Sequence, residues 1–235
     1  MRSRASLPRE RRAAAGPAGG PAAAGSADLG PDGRPPAGPV TERCLALRLV
    51  ARALSYPHPE LRAQLEAGVT ELADPAAAAA LRAFLAGVRP LALGAWEEAY
   101  TRAFDLYPAT APYVGYHAFG DRPERGAFLA KLAAAERRLG VSPGGELPDH
   151  LVPVLEYLAV SEEAGQAPLP ALARAFPGAL RAMQTGLARV EAAAPYRHVL
   201  AWLETQAGEL KFESPGIQPG VKAQGPQLTE EGRRR

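Results

Sequence analysis

Over most of the stretch from position 41 to position 212, apolar residues recur at every third or fourth position, and no segment alternates apolar with polar residues. Leu45, Leu49 and Ala53, for example, share one face of a helix expected over residues 41–55. This spacing is typical of amphipathic helices packed on a common core, whereas a half-buried strand would require period two. The chain is therefore predicted to be all-α, a single globular domain of about eight or nine helices.

Prolines mark the expected ends of these helices. Pro57 stops the first helix, because a residue that precedes proline is pushed out of the helical region. Pro59 is then expected to open a second helix, and Asp74-Pro75 a third that ends before Pro90. A fourth helix is expected over residues 91–104.

The second half of the domain begins with a less regular segment. Residues 105–120 show little helical pattern and predict an irregular loop. Asp121, with Glu124 three positions later, predicts a capping box that opens a helix, and Gly140 suits its C-terminal cap. Further helices are expected after the sequence Leu147-Pro148-Asp149-His150, over 171–193 with Pro177 as a candidate break, and over 196–210.

The two ends of the chain differ from this domain in composition. Residues 1–40 contain seven glycines and seven prolines, and residues 213–235 are again rich in proline and glycine, so both are predicted to be disordered tails around a domain of residues 41–212. Residues 1–40 carry six arginines against Glu10, Asp28 and Asp32, a net charge of +3. The whole chain is only +2, so the domain itself is slightly acidic and no nucleic-acid partner is expected.

Other features exclude several classes of protein. No apolar run approaches the roughly 18 residues of a membrane-spanning helix, so no stable membrane insertion is expected. The single cysteine, Cys44, fits a reducing compartment and a structural thiol, which favours the cytoplasm. The sequence has no phosphate-binding loop, dinucleotide fingerprint, nucleophile elbow or HExxH motif, so neither an enzyme nor a bound cofactor is predicted.

Aromatic residues concentrate in the middle of the chain. Trp96, Tyr100 and Phe104 share one helical face, which by default indicates core packing. An aromatic-rich segment with glycines and prolines follows, and such a segment suits a concave apolar surface that binds peptides. Its aromatic and imidazole side chains are those of Tyr107, Tyr113, Tyr116, His117 and Phe119.

A metal site is an alternative interpretation of the same region. His117, Asp149 and His150, with Glu146, supply the side chains that a helical metal-dependent hydrolase would use. Their spacing is not diagnostic of a metal site, and carboxylates at a helix start also cap exposed N–H groups. No metal is therefore predicted.

Three blocks of sequence resemble the nitrate reductase assembly chaperones. The first runs from Tyr100 through Phe104 and Asp105 to Pro108, and the second from Tyr113 through Tyr116, His117 and Phe119 to Gly126. The third is Glu146-Leu-Pro-Asp-His-Leu151 with the apolar residues behind it. The resemblance covers about residues 41–210, and Gly115 stands where the family usually has threonine.

This resemblance implies an all-α fold and a role in assembly. Members bind the N-terminal segment of the apo catalytic subunit of nitrate reductase in the cytoplasm, keep it competent for insertion of the molybdenum cofactor, and delay its membrane attachment. They catalyse nothing, are absent from the finished enzyme, and work alongside cofactor-delivery proteins. The alternatives are a chaperone for a different molybdoenzyme reductase and the metal-dependent hydrolase.

The resemblance also implies where the client peptide binds. The peptide is expected to lie as an amphipathic helix, with its apolar side on the aromatic residues and its basic residues on the carboxylates. Asp149 and His150 are associated with recognition, and His150 is expected to make binding pH-sensitive near neutrality, although both residues would equally serve as helix caps. The predicted binding residues are Trp96, Tyr100, Phe104, Asp105, Tyr113, Tyr116, His117, Phe119, Asp121, Glu146, Pro148, Asp149 and His150.

Overall fold

The computed structural model describes residues 40–208, and this part of the chain forms nine α-helices and no strand. The helices are α1 (Glu42–Ala53), α2 (Leu61–Glu71), α3 (Pro75–Val88), α4 (Leu93–Phe104), α5 (Val114–Phe119), α6 (Pro123–Leu139), α7 (Leu151–Glu163), α8 (Pro170–Leu187) and α9 (Ala194–Gly208). The all-α prediction is confirmed. The two tails lie outside the described residues except for Val40, so the domain limits at 41 and 212 stay predictions.

The helices pack pairwise around one apolar core. α1 lies against α7, α3 against α9, and α5 against α8. Among residues 40–208, no single helix is long and apolar enough to cross a membrane, and α3 with α4, which reach that length only together, are bent by 116°. The largest side chains buried in the core are those of Trp96, Tyr157, Tyr196, Phe84, Phe104 and Phe176.

Local sequence explains how α1 and α3 begin. The Thr41 hydroxyl accepts the Cys44 N–H at 3.1 Å, and the Asp74 carboxylate accepts the N–H groups of Ala76 and Ala77 at 2.8 and 3.2 Å. Cys44 is fully buried, and burial raises the pKa of its thiol. Its environment is therefore that of a structural thiol and not of a nucleophile.

Two predictions about the middle of the chain were wrong. Residues 114–119 form α5 and not irregular loop, because α6, α8 and Asp149 supply contacts that a six-residue helix cannot supply for itself. The cap of α6 is Arg122 and not Asp121, and it makes no side-chain capping bond, so the expected capping box does not form. Gly140 adopts the left-handed conformation at the C-terminal cap of α6, as predicted.

Other helix limits shift by short distances. α2 begins at Leu61 and not at Pro59, and α4 begins at Leu93. Pro177 lies inside a continuous α8, although proline removes one backbone hydrogen bond. Buried Phe176 and Leu180 on the same helix anchor it to the core, so packing offsets that loss.

Candidate functional site

The segment before α5 and the segment before α7 are joined by backbone hydrogen bonds. Val114 donates to the carbonyl of Asp149 and Leu151 donates to the carbonyl of Pro112, each at 2.8 Å. These two bonds form an isolated antiparallel bridge between Tyr113 and His150. The aromatic segment and the Asp-His pair, which the sequence placed about 35 residues apart, therefore meet in one structure.

Asp149 is the buried anchor of this junction. Its side chain has no exposed area, and Oδ2 accepts the Gly115 N–H at 3.0 Å in the first turn of α5. Arg125 of α6 approaches the same oxygen at 3.4 Å. Burial raises the pKa of Asp149, and the Arg125 charge and the Gly115 N–H oppose that rise. Asp149 thus holds α5 and α6 against the start of α7 from within.

His150 caps α7. Its Nδ1 accepts the Val152 N–H at 3.2 Å, so the neutral ring carries its proton on Nε2. The ring is 4% exposed and packs edge-on against Tyr113 with centroids 5.2 Å apart. Burial lowers the pKa of His150, which moves its titration below the near-neutral range expected from the sequence.

Tyr113 extends this junction to the surface. Its hydroxyl donates to Glu146 Oε2 at 2.9 Å, and burial together with this carboxylate raises the pKa of Tyr113 to about 12. Glu146 in turn contributes to a raised pKa of Asp105, whose main cause is burial. Asp105 at the end of α4 and Glu146 before α7 are therefore close enough to interact electrostatically, and both are exposed.

Exposed apolar residues lie beside these two carboxylates. Leu106 and Leu147 are their chain neighbours and are 56% and 46% exposed. Tyr56 is 53% exposed and packs edge-on against Tyr100, one turn before Asp105, at 5.3 Å. We call this surface the acidic face. It consists of Tyr56, Asp105, Leu106, Tyr113, Glu146 and Leu147.

The sequence prediction of the site omitted Tyr56, Leu106 and Leu147. Single exposed apolar residues carry no periodic signal, because periodicity reports which helix face is buried. The one available signal for Leu106 and Leu147 was their position inside the blocks that resemble the assembly chaperones, since each follows a predicted binding carboxylate.

The predicted aromatic stripe lies in the core. Trp96 donates from Nε1 to the Tyr196 hydroxyl at 3.0 Å, and Phe104 packs on the Tyr196 ring at 4.9 Å. Tyr100 is 6% exposed, and its hydroxyl donates to the carbonyl of Leu54 at 3.3 Å. In this conformation Trp96 and Phe104 offer no surface to a peptide. Phe104 packs instead on Tyr100, whose ring contacts Tyr56 of the acidic face.

The remaining predicted residues surround α5. Tyr116 is half-buried with Arg125 over its ring at 5.6 Å, and the His117 Nε2 is 2.8 Å from the carbonyl of Ala111. Phe119 packs on Phe128 at 5.3 Å and, with several alanines, lines a groove of about 500 Å³ between α5, α6 and α8. Pro148 is half-buried, whereas Asp121 is exposed in the turn before α6.

The side chains suggested as metal ligands are engaged elsewhere. His150 accepts a backbone N–H, His117 bonds a backbone carbonyl, and Asp149 is held by Gly115 and Arg125. Within residues 40–208, no three His, Cys, Asp or Glu side chains converge in a way that could hold a metal ion. This geometry does not favour the hydrolase alternative.

Comparison with known proteins points to one family. Residues 69–206 match the family model described as nitrate reductase delta subunit. A protein of Bacillus subtilis (strain 168), named "Probable nitrate reductase molybdenum cofactor assembly chaperone NarJ", is 32% identical over 127 residues, which is 52% of this chain and 69% of that protein. That relative is named as a chaperone and not as an enzyme. The chain belongs to the nitrate reductase delta subunit family, whose NarJ-type members are molybdenum cofactor assembly chaperones.

Proposed function

We propose that this chain binds the N-terminal segment of the apo catalytic subunit of a nitrate reductase and presents it for insertion of the molybdenum cofactor. The observation that carries this proposal is the acidic face, where two exposed carboxylates lie among exposed apolar side chains. Among residues 40–208, neither Asp105 nor Glu146 forms a salt bridge with a basic side chain. Both charges are thus available to a basic partner.

The chemistry of the face defines the peptide that fits it. Tyr56, Leu106 and Leu147 favour apolar side chains, and Asp105 and Glu146 favour lysine or arginine. A short helix with an apolar side and basic residues at its edge supplies both. Because a chaperone must release its client, we expect micromolar affinity, about −8 kcal/mol.

Calorimetric titration tests the proposal. The titrant is a synthetic peptide with the N-terminal sequence of the nitrate reductase catalytic subunit from the same genome. Saturable binding is expected, and Glu146→Gln combined with Asp105→Asn should weaken it by about tenfold, since an exposed charge contact contributes up to roughly 1 kcal/mol. Added salt should weaken binding to the unaltered protein more than binding to this variant.

Glu162→Gln is the matched control. Glu162 is also a carboxylate of the α7 region, but it lies at the opposite end of that helix, where it pairs with Arg43 at 3.6 Å. Its replacement should leave peptide affinity unchanged. If the protein bound only the leader peptide of another molybdoenzyme reductase, it would still be a chaperone, but its client would be that other reductase. Binding to none of these peptides would contradict the proposal.

The wider role that we propose follows from family membership. The chain acts in the cytoplasm without catalysing a reaction, meets cofactor-delivery proteins while it holds its client, and delays membrane attachment until the cofactor is in place. The buried free thiol of Cys44 fits a reducing compartment. Deletion of the chain should leave the catalytic subunit in the cell but without molybdenum, which metal analysis of the purified subunit would detect.

A further inference from the structure

We propose that the arginine-rich segment of residues 1–12 of this same chain occupies the acidic face when no client is bound and competes with the client peptide. This inference rests on the proposed function only in naming the competitor. The contact itself depends on the face, on the composition of the segment and on the reach of the chain between them.

The segment carries positive charges that complement the carboxylates of the acidic face. Residues 1–12 contain Arg2, Arg4, Arg9, Arg11 and Arg12 against one acid, Glu10. Leu7 lies between the two groups of arginines. A cationic stretch with one central apolar side chain complements two carboxylates flanked by leucines and a tyrosine, which is the chemistry expected of the client.

Two arginines of the neighbouring helices are already paired with other carboxylates. Arg125 of α6 is paired with Asp149 inside the junction. Arg102 of α4 is paired with Glu98 on its own helix at 2.5 Å. Among residues 40–208, no basic side chain lies within salt-bridge distance of Asp105 or Glu146, so both carboxylates can accept a further cation.

The chain is long enough to make the contact. α1 spans 12 residues, about 18 Å, from the point where the described chain begins to the point next to Tyr56. Residues 13–39 join residues 1–12 to α1, and 27 residues extend to at most roughly 90 Å. The connection exceeds the required distance several-fold, so the segment reaches the face without strain.

Tethering makes even a weak contact effective. A segment joined by a connection of this length has an effective concentration of about a millimolar or more at the face. If its intrinsic dissociation constant is also near a fraction of a millimolar, it is bound most of the time. The client then binds with an apparent affinity about three- to tenfold below that of the free face.

A spin label tests the contact directly in the full chain. Ser6→Cys gives one reactive thiol, because Cys44 is fully buried. A nitroxide at position 6 should broaden the backbone amide signals of Tyr113 and Leu147, and the broadening should disappear in roughly 0.5 M salt. It should also disappear when Asp105→Asn and Glu146→Gln are added. Absence of broadening at these amides in low salt would overturn the inference.

Client titration tests the competition. A full-length variant with Arg2, Arg4, Arg9, Arg11 and Arg12 replaced by Gln should bind the client peptide three- to tenfold more tightly than the unaltered protein. Replacing Arg233, Arg234 and Arg235 by Gln is the control and should not change the affinity. Equal affinities for the arm variant and the unaltered protein would overturn competition. If no protein binds the client peptide, the proposed function fails, and the spin-label result still decides the contact.

Discussion

The backbone N–H of Gly115 donates a hydrogen bond to Asp149 Oδ2, with the nitrogen and the oxygen 3.0 Å apart. This bond joins segments separated by 34 residues of sequence. It supplies an acceptor to the first turn of α5, where backbone N–H groups otherwise have none. A side chain at position 115 would collide with the acceptor, since an added Cβ would be 2.7 Å from Asp149 Oδ2 and 2.9 Å from Phe128 Cδ1. In this arrangement a methyl group at position 115 fits only if the side chain of Asp149 or Phe128 shifts.

Gly115→Ala should destabilise the protein. The methyl group must displace Asp149 or Phe128, both of which are buried, at a cost of about 1–3 kcal/mol. Urea unfolding followed by circular dichroism measures the change. Gly126→Ala is the matched control, because that glycine lies inside α6 with no atom within 4 Å of an added Cβ. It should be neutral or stabilising by up to about 1 kcal/mol, and equal losses in both variants would contradict the packing argument.

Glu136 makes stability depend on pH. It is 1% exposed, and burial, reinforced by the Asp149 charge, raises the pKa of its carboxyl to about 7 from the ordinary 4.5. The folded state holds this proton more tightly than the unfolded state, so the contribution to stability is present below pH 4.5 and is lost as the pH rises to 7. Glu136→Gln removes this dependence.

We therefore expect the Gln variant to be more stable than the unaltered protein at pH 8, by on the order of 2–3 kcal/mol. At pH 4 the difference should be close to zero, and urea unfolding at both values measures it. Glu71→Gln, which replaces an exposed carboxylate of α2, is the matched control for the loss of one negative charge. Parallel pH profiles for the unaltered protein and Glu136→Gln would show that Glu136 ionises normally in the folded state.

Most helices could be predicted because their signals are local. Asp74-Pro75 opens α3 through bonds within its own first turn, and Gly140 ends α6 through its own left-handed conformation. α5 could not be predicted, because six residues do not form a stable helix alone. Its first turn is completed by Asp149, from another part of the chain.

The sequence could predict which residues belong to the candidate site, but not which of their side chains are exposed. The resemblance identified Asp105, Tyr113 and Glu146, which the structure brings together at one surface. It could not show that Trp96 and Phe104 face inward, since helical spacing places residues on a common face without stating which partner covers it. That partner is Tyr196, from the last described helix.

His150 should titrate below its ordinary pKa of 6.5. Burial favours the neutral ring, and Nδ1 must stay unprotonated to accept the Val152 N–H. The stability that this cap contributes is present above pH 6.5 and is lost as the pH falls through the lowered pKa of the folded state. Long-range proton–nitrogen NMR correlations should show the Nε2–H tautomer at pH 7. A proton on Nδ1 at that pH would contradict the capping geometry.

Phe104→Leu should reduce stability without changing affinity for the client peptide. Phe104 is 2% exposed and packs on Tyr100 and Tyr196 at 5.1 and 4.9 Å, so its loss leaves a partial cavity worth about 1–2 kcal/mol. Leu147→Ala should weaken binding of the client peptide and leave stability unchanged, because Leu147 is 46% exposed on the acidic face and supports nothing in the core. Unfolding and calorimetry on both variants separate the two roles. If Phe104→Leu instead weakened peptide binding with no loss of stability, the aromatic stripe would contact the client directly, and the helices covering it would have to open on binding.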